Sequence, residues 1–331
     1  MQNIPFIEVS GSNYDIGFTV GSALKKQIKN LVKLEGEKYR EDTERVKFLI
    51  RYVNKYFPKS IAELKGMSEG SGTDINTLFT LGCEDEFRYN CTSVAGFSED
   101  GIILAHNEDW LKTHLNSLYI CKIKQKNKPT SISLSYAGHL PGFSFGLNSK
   151  NLAFTENALH FRKVNPKGIP IHFFTRAFLD VEKVSELIRL ATMPNKMVGW
   201  SSLIVYGNKI FDLEITPKTF VLLKGQKYLA HTNHVLSPKI ITQEKSHSKD
   251  SLWRLERANE LLKTNKLNFE LVKKILADHK HRPFSICCHE FEKQDETPYA
   301  TLASVIANIN KKELYVAHGN PCKSRYERYR L

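Results

Sequence analysis

Apolar positions in the first ninety residues recur at helical spacing. Val20, Leu24, Ile28 and Leu31-Val32 lie three or four residues apart, behind Ser12 and Asp15, which mark a helix start. Val46-Leu49-Ile50-Val53 and Ile61-Leu64-Met67 repeat the pattern. Asp74 ahead of Ile75, Leu78 and Phe79 predicts another helix N-cap.

From Cys91 the period changes. Thr92 to Phe97 and Ile102 to Ala105 flank Ser98-Glu99-Asp100-Gly101, a turn signal that predicts a hairpin. Further strands are expected at Tyr119 to Lys124, Ser131 to Tyr136, Phe143 to Leu147 and Leu152 to Glu156. A helical stretch over about 171–192 precedes strands at about 201–206, 210–215, 219–223 and 227–232. Helices at about 250–264 and 268–279 and strands at about 284–289, 301–308 and 313–317 close the chain. Helices grouped outside antiparallel hairpins define an α+β class. Ile102-Ile103-Leu104-Ala105 is apolar on both faces, as in a sheet covered on both sides. The expectation is a four-layer α/β/β/α sandwich of two antiparallel sheets. A helical segment, 1–90, and a strand-rich segment, 91–331, form one globular unit with no linker or repeat between them.

Composition narrows the class. The 331 residues are 41% hydrophobic and 25% charged, as in a soluble globular protein. No run of about 18 apolar residues predicts a membrane span. Met1 to Pro5 lack the basic and apolar regions of a secretory signal, so a cytoplasmic protein is expected. The six cysteines include no CxxC pair or paired CxxC/HxxxH spacing, so reduced thiols are expected and neither a metal nor any other cofactor is. The net charge of +13 is scattered. It admits a non-catalytic basic binding protein for nucleic acid or an anionic ligand as an alternative. The favoured reading is a solvated surface that attracts an anionic small molecule such as an acyl-CoA thioester, with no nucleic-acid or membrane partner.

Cys91 is the candidate for chemistry. Across the Ser98–Gly101 turn, positions summing to about 198–200 face one another, which sets Cys91 opposite residues 107 to 109. Asn107 and Asp109 share one strand face, and a buried amide and carboxylate need partners. If the Asn90–Cys91 bond is cut, Cys91 gains an α-amino group that titrates at about 7.7–8.0 and can act as base to its own thiol. Asp109 would orient that amine, and Asn107 or Asn233 would donate to an oxyanion. Most buried cysteines are inert, and for Cys91 alone that reading would prevail.

Other motifs read more plainly. His231 and His234 point to opposite faces of a strand end, which argues against a shared metal. Cys287-Cys288-His289 reads as a buried strand, Cys322 as a turn residue and Cys83 as packing near a helix end. Gly138 to Phe143 is a loop able to shape a pocket. His234 or His289 could serve as the base of an uncleaved cysteine hydrolase, a further alternative.

Taken in order, several pieces resemble the acyl-CoA:6-aminopenicillanic acid acyltransferase (isopenicillin N acyltransferase) family of N-terminal-nucleophile hydrolases. They are Gly11-Ser-x-Tyr14-x-Ile-Gly17-x-x-x-Gly21, Glu63-Leu-Lys-Gly66-Met-Ser-Glu69-Gly-Ser-Gly72, Cys91-Thr92 and Asn107-Glu-Asp109-Trp110. His231-Thr-Asn233-His234, Asp250-Ser251-x-x-Arg254 and Gly319-Asn320-Pro321-Cys322 follow. The resemblance implies the α/β/β/α fold and self-cleavage between Asn90 and Cys91, after which the two segments stay associated. It implies Cys91 as nucleophile, Asp109 as the group holding the amine, Asn107 as its strand neighbour and Asn233 as the oxyanion-hole amide. It implies that Arg254 supports the site or binds a substrate carboxylate, and that linear N-acyl amides are hydrolysed or acyl groups transferred from acyl-CoA. Asn90 stands where these relatives often carry Gly.

Overall fold

The computed structural model describes residues 4–35, 43–83, 90–245, 247–289 and 299–331. The expected helical segment 1–90 and the reading of Met1 to Pro5 therefore include positions outside the described residues. The chain opens with β1 (Phe6–Ser10), followed by α1 (Asn13–Ala23), α2 (Lys25–Glu35), α3 (Thr43–Asn54), α4 (Pro58–Ser71) and α5 (Ile75–Leu81). Next come β2 (Asn90–Ser98), β3 (Gly101–Leu111), β4 (Leu118–Lys124), β5 (Ser131–Tyr136), β6 (Phe145–Asn148), β7 (Leu152–Thr155) and β8 (Asn157–Leu159). Helices α6 (Ile171–Phe178) and α7 (Val184–Thr192) lead to β9 (Gly199–Tyr206), β10 (Lys209–Ile215), β11 (Phe220–Gly225) and β12 (Tyr228–His231). Helices α8 (Lys249–Thr264) and α9 (Phe269–Leu276) precede β13 (Tyr299–Asn308), β14 (Glu313–His318) and β15 (Tyr326–Arg330).

Local chemistry sets the helix starts. Ser12 and Asp15 close a reciprocal capping box, with Ser12 N–H donating to Asp15 Oδ2 at 2.8 Å and Asp15 N–H to Ser12 Oγ at 3.2 Å. Asp74 caps α5 by accepting from the amides of Asn76 and Thr77. The apolar run through Val20 and Ile28 is two helices, broken at Leu24. The expected helix over 171–192 is also two. Asn148 Nδ2 donates to the carbonyls of Leu179 and Val181 at 3.1 and 2.8 Å, holding the turn between them.

Two sheets form the centre. One runs β1-β4-β5-β6-β7-β9-β10-β11 with β8 on β9; the other runs β12-β2-β3-β13-β14-β15. The expectation of purely antiparallel sheets needs one correction: β1 pairs with β4 in parallel. Its alternation buries Ile7 and Val9 on one face, so the first segment contributes a strand as well as helices.

The β2–β3 hairpin shows how the layers stack. Ala95, Ile102 and Leu104 point into a core shared with the larger sheet and with residues of α1 to α7. Val94, Ile103 and Ala105 point the other way, onto Ala258, Leu262, Val272 and Ile275 of α8 and α9. Both sheets are thus covered on both faces, and the α+β, four-layer α/β/β/α expectation is met. On the helical side α1 and α4 cross in backbone contact. A Cβ at Gly17 would lie 1.7 Å from Glu63 O, and one at Gly66 would lie 2.0 Å from Tyr14 O. Buried Arg176 of α6 ties this crossing down, its Nε donating to both Glu63 carboxylate oxygens at 2.9 Å.

The segment at 284–289, expected as a strand, is instead a series of turns. Its backbone groups go to single partners rather than a ladder: Phe284 N–H to His281 O, Cys287 N–H to Asp278 O and Cys288 N–H to Thr301 Oγ1.

Candidate active site

The hairpin register is centred on Glu108. Cys91 pairs with Glu108, Asn90 with Asp109 and Thr92 with Asn107. Because side chains alternate, Cys91 shares its face with Glu108 and His106, looking between the sheets. Asn107 and Asp109 project from the opposite face, toward α8 and α9. The expected placement of Cys91 opposite residues 107 to 109 holds, with Glu108 as its direct partner, but the Cys91 side chain does not share a face with Asn107 and Asp109. Asn107 serves the framework, its Nδ2 donating to the carbonyls of Leu276 and Ile286 at 2.8 and 2.9 Å.

What gathers on the Asp109 side is the backbone of Cys91. Its N–H donates to Asn233 Oδ1 at 2.7 Å. Arg254 Nη1 donates to the Cys91 carbonyl at 2.5 Å and to Thr92 Oγ1 at 3.0 Å. Its Nη2 donates to Asn233 Oδ1 at 3.0 Å and to Asp250 Oδ2 at 3.1 Å. Arg254 is buried and spends these donors on the protein itself, a positioning arrangement. Asn233 follows β12, and its own N–H donates to Ser251 Oγ of α8 at 2.8 Å. Its Nδ2 donates to Ala158 O of β8 at 3.2 Å, so elements of both sheets and α8 meet at one amide.

Asp109 is fully buried. Thr301 donates to its Oδ1 at 2.5 Å, while its Oδ2 has no hydrogen-bond partner among the described residues. Burial pushes its carboxyl up to about 7, against the Arg254 cation and the Thr301 hydroxyl. Burial also pushes the Cys91 thiol well above its ordinary value, and the carboxylates of Glu108, Glu156 and Asp109 add to that rise. Against these acts a hydrogen bond from the Asp109 backbone. The surroundings therefore favour the neutral thiol over the thiolate.

The inner face carries a polar network that the sequence reading missed. The Cys91 sulfur, a His106 ring nitrogen and a Glu108 carboxylate oxygen lie within 4.8 Å of one another. His106 Nε2 meets Glu108 Oε2 at 2.9 Å and its Nδ1 meets Ser93 Oγ at 2.9 Å. Tyr136 donates to Glu108 Oε1 at 3.0 Å, and Ser144 to Oε2. The signal available was the alternation Leu104, His106, Glu108 along one strand face.

The remaining candidates fall elsewhere. His231 is buried against Glu214 and Asp212, at 3.3 and 3.7 Å. Burial alone would lower its pKa, but the two carboxylates raise it above its ordinary value. His234 Nδ1 meets Ser251 Oγ at 2.8 Å, and burial with neighbouring cations takes its pKa down to about 4. His289 Nε2 lies beside His279 and Cys322. The Gly138–Phe143 loop packs inward, where Gly142 N–H donates to Ser135 Oγ at 2.7 Å. A cavity of about 690 Å³ opens beyond β8, lined among others by Phe161, Arg162, Lys163, Thr216 and Lys218, but not by Cys91 or Asp109. No described helix is long and apolar enough to cross a membrane.

A four-layer α+β sandwich with a cysteine at the start of a central strand, its backbone gripped by an Asn and an Arg, defines the class. The sequence profile of the acyl-coenzyme A:6-aminopenicillanic acid acyl-transferase family matches residues 97–323, and the chain belongs to that family. It is 25% identical over 337 aligned residues to the acyl-coenzyme A:6-aminopenicillanic-acid-acyltransferase 40 kDa form of Emericella nidulans, covering 95% of this chain and 92% of that one. It is 27% identical over 221 residues to the β-alanyl-dopamine/carcinine hydrolase of Drosophila melanogaster, covering 57% of each. Among solved structures, a mutant conjugated bile acid hydrolase from Clostridium perfringens aligns with a TM-score of 0.46 and 12% identity, over 73% of this chain and 97% of that one. Penicillin V acylase from Agrobacterium tumefaciens aligns with a TM-score of 0.45 and 14% identity, over 69% and 83%. The two sequence relatives are thus an acyltransferase and a hydrolase.

Proposed function

We propose that this chain is a self-processing cysteine amidohydrolase or N-acyltransferase that acts on linear amides through a Cys91 acyl-enzyme. The observation that carries the reading is the double grip on Cys91: Asn233 on its backbone nitrogen and Arg254 on its carbonyl. A merely packed cysteine has no need of two buried polar side chains on its own peptide groups.

In the proposed maturation, the Cys91 sulfur attacks the Asn90 carbonyl. A C–S bond forms, the Asn90–Cys91 C–N bond breaks, and the nitrogen takes the thiol proton. Water then hydrolyses the thioester and leaves a free α-amine at Cys91. That amine sits where the amide now meets Asn233, and Asp109 Oδ2 is available to accept from it. In turnover the amine takes the thiol proton, the sulfur adds to the substrate carbonyl, and the Asn233 amide donates to the oxyanion. The amine leaving group departs with the proton. Water completes hydrolysis, or an acceptor amine completes transfer. An acyl-CoA thioester can load the same sulfur. By analogy with the names of its relatives, the substrates are N-acyl amides and acyl-CoA thioesters.

Intact mass under denaturing conditions tests the first step. Fragments of about 10 and 28 kDa are expected, scaling 37.9 kDa by residue number. Cys91→Ala should remain one chain. A wild-type chain that stays intact while turning over amides overturns the free-amine mechanism.

One observation favours a second reading, an uncleaved cysteine hydrolase in which His106 is the base. Its ring lies within 4.8 Å of the thiol. Both His106 nitrogens, however, are engaged, by Ser93 and Glu108. His106→Gln should therefore still process and turn over amides, whereas an intact, active wild-type chain whose turnover is abolished by His106→Gln in a folded protein would support the second reading.

A further inference from the structure

Four metal-ligating side chains converge where the turns after α9 meet the β14–β15 connection, and none of them belongs to the group that grips Cys91. We propose that His279, Cys287, His289 and Cys322 form a tetrahedral site of two imidazoles and two thiolates for a zinc ion. The four ligand atoms all lie within 4.8 Å of one another. His279 Nε2 and His289 Nε2 are 3.1 Å apart. Cys287 Sγ is 3.7 Å from Cys322 Sγ and 3.7 Å from His289 Nε2. Cys322 Sγ is 3.3 Å from His289 Nε2.

Zinc geometry gives an independent yardstick. With Zn–S of about 2.3 Å and Zn–N of about 2.0–2.1 Å, a tetrahedron has edges of about 3.8 Å between sulfurs, 3.6 Å between sulfur and nitrogen, and 3.3 Å between nitrogens. Each of the four separations above falls within about 0.3 Å of its edge. Two thiols and two imidazoles crowded on one point bring more lone pairs than donors, and a cation resolves that imbalance. Two nitrogens and two sulfurs suit zinc better than calcium or magnesium, which prefer oxygen.

The surroundings fit a structural site. Four protein ligands fill the tetrahedron and leave no position for substrate. Asn320 Nδ2 lies 3.6 Å from Cys287 Sγ and donates to Cys288 O at 2.6 Å, a partner outside the ligand set that would steady the thiolate. The ligands come from three places: His279 just after α9, Cys287 and His289 on the turns that follow, and Cys322 in the β14–β15 connection. An ion there staples the C-terminal connection to the segment behind Asp109. Cys288 N–H donates to Thr301 Oγ1 at 3.0 Å, and Thr301 donates to Asp109 Oδ1. The spacing His-x7-Cys-x-His and a Cys far downstream contains no paired CxxC, so the sequence rule for zinc sites passed over it.

Metal analysis of tag-free wild-type protein, purified without added metal, tests the proposal directly. About one zinc per chain is expected after exchange into metal-free buffer. Cobalt should replace it with a tetrahedral visible spectrum and a thiolate charge-transfer band. Cys322→Ser and His279→Gln should lose the stoichiometric zinc, and Asn320→Ala should weaken it about 10-fold. Should those variants fail to fold, the wild-type count and the cobalt spectrum still decide. Protein that carries no zinc and takes up neither zinc nor cobalt overturns the site. So does a Cys287–Cys322 disulfide in freshly purified protein, seen as a mass lower by two hydrogens that reduction restores.

Discussion

Asn233 Oδ1 accepts the Cys91 backbone N–H at 2.7 Å, and the same oxygen accepts Arg254 Nη2 at 3.0 Å. The amide is thereby oriented at the one atom that changes character if the chain is cut. Asn233→Ala should lower kcat by about 10²–10³ with little change in KM, the signature of a group that acts on the oxyanion. Steady-state kinetics on processed protein, with N-acyl amino acids or acyl-CoA thioesters as substrates, separate the two parameters. A raised KM at unchanged kcat would assign Asn233 to substrate binding instead.

Asp109 predicts a pH dependence. Burial raises its folded-state carboxyl from an ordinary value of 3.8 to about 7, so the folded chain holds that proton more tightly than the unfolded one. The contribution to stability is fully present below pH 3.8 and is lost as pH rises through about 7. Asp109→Asn has no such proton to lose. In the uncleaved Cys91→Ala background it should reduce the fall in unfolding free energy between about pH 5 and pH 8 by roughly 2–3 kcal/mol. Denaturant titrations of both proteins at the two pH values measure it. Equal pH slopes would show that Asp109 is ionised throughout, paired to Arg254.

The layers of the fold were legible because Ile102 to Ala105 is apolar at every position, which demands cover on both faces. Helix starts at Ser12 and Asp74 were legible because their side chains act within three residues. Strand β1 was not, because its alternation spans only Phe6–Ser10 and its parallel partner lies more than a hundred residues on. The 284–289 turns were misread because apolar composition is shared by strands and buried turns. Within the site, Cys91 could be singled out at the change of period. The side-chain assignments could not, since a one-residue slip in register exchanges the face of Glu108 for that of Asn107 and Asp109. Asn233 was one of two candidate amides until the motif resemblance assigned it, and Arg254 was named through that resemblance alone. Their meeting at Cys91 depends on contacts of |i−j| 142 and 163, beyond any periodicity.

The Glu63–Arg176 pair is buried on both sides, with side-chain exposures of 0% and 2%. Removing Glu63 takes the nearer carboxylate from the buried Arg176 cation and leaves it Asp180 at 3.3 Å, so Glu63→Leu should cost about 3–5 kcal/mol. Glu63→Leu combined with Arg176→Met should cost less than Glu63→Leu alone, because the buried cation is gone. Thermal unfolding of the single and double variants tests this, and simple additivity would mean the two groups do not stabilise each other.

Gly66 meets the α1 backbone where no side chain can yield. A Cβ there lies 2.0 Å from Tyr14 O. Gly66→Ala should destabilise by about 3 kcal/mol or more through forced separation of α1 and α4. Exposed Lys65→Ala next to it should stay within about 0.5 kcal/mol. A Gly66→Ala melting temperature equal to wild type would contradict the close crossing.

Asn107 separates framework from chemistry. Its amide nitrogen satisfies two buried carbonyls, Leu276 O at the end of α9 and Ile286 O in the turns beyond. Asn107→Ala leaves both unpaired, at a cost of about 2–3 kcal/mol. Because its side chain projects away from the Cys91 thiol, processing and kcat per folded molecule should change less than about 3-fold, far below the Asn233→Ala effect. Asn107→Asp keeps the size but cannot donate to either carbonyl, so it should destabilise at least as much. Equilibrium unfolding, paired with active-site titration of the folded fraction, distinguishes the roles. A loss of about 100-fold or more in kcat at near-native stability would return Asn107 to the reacting atoms.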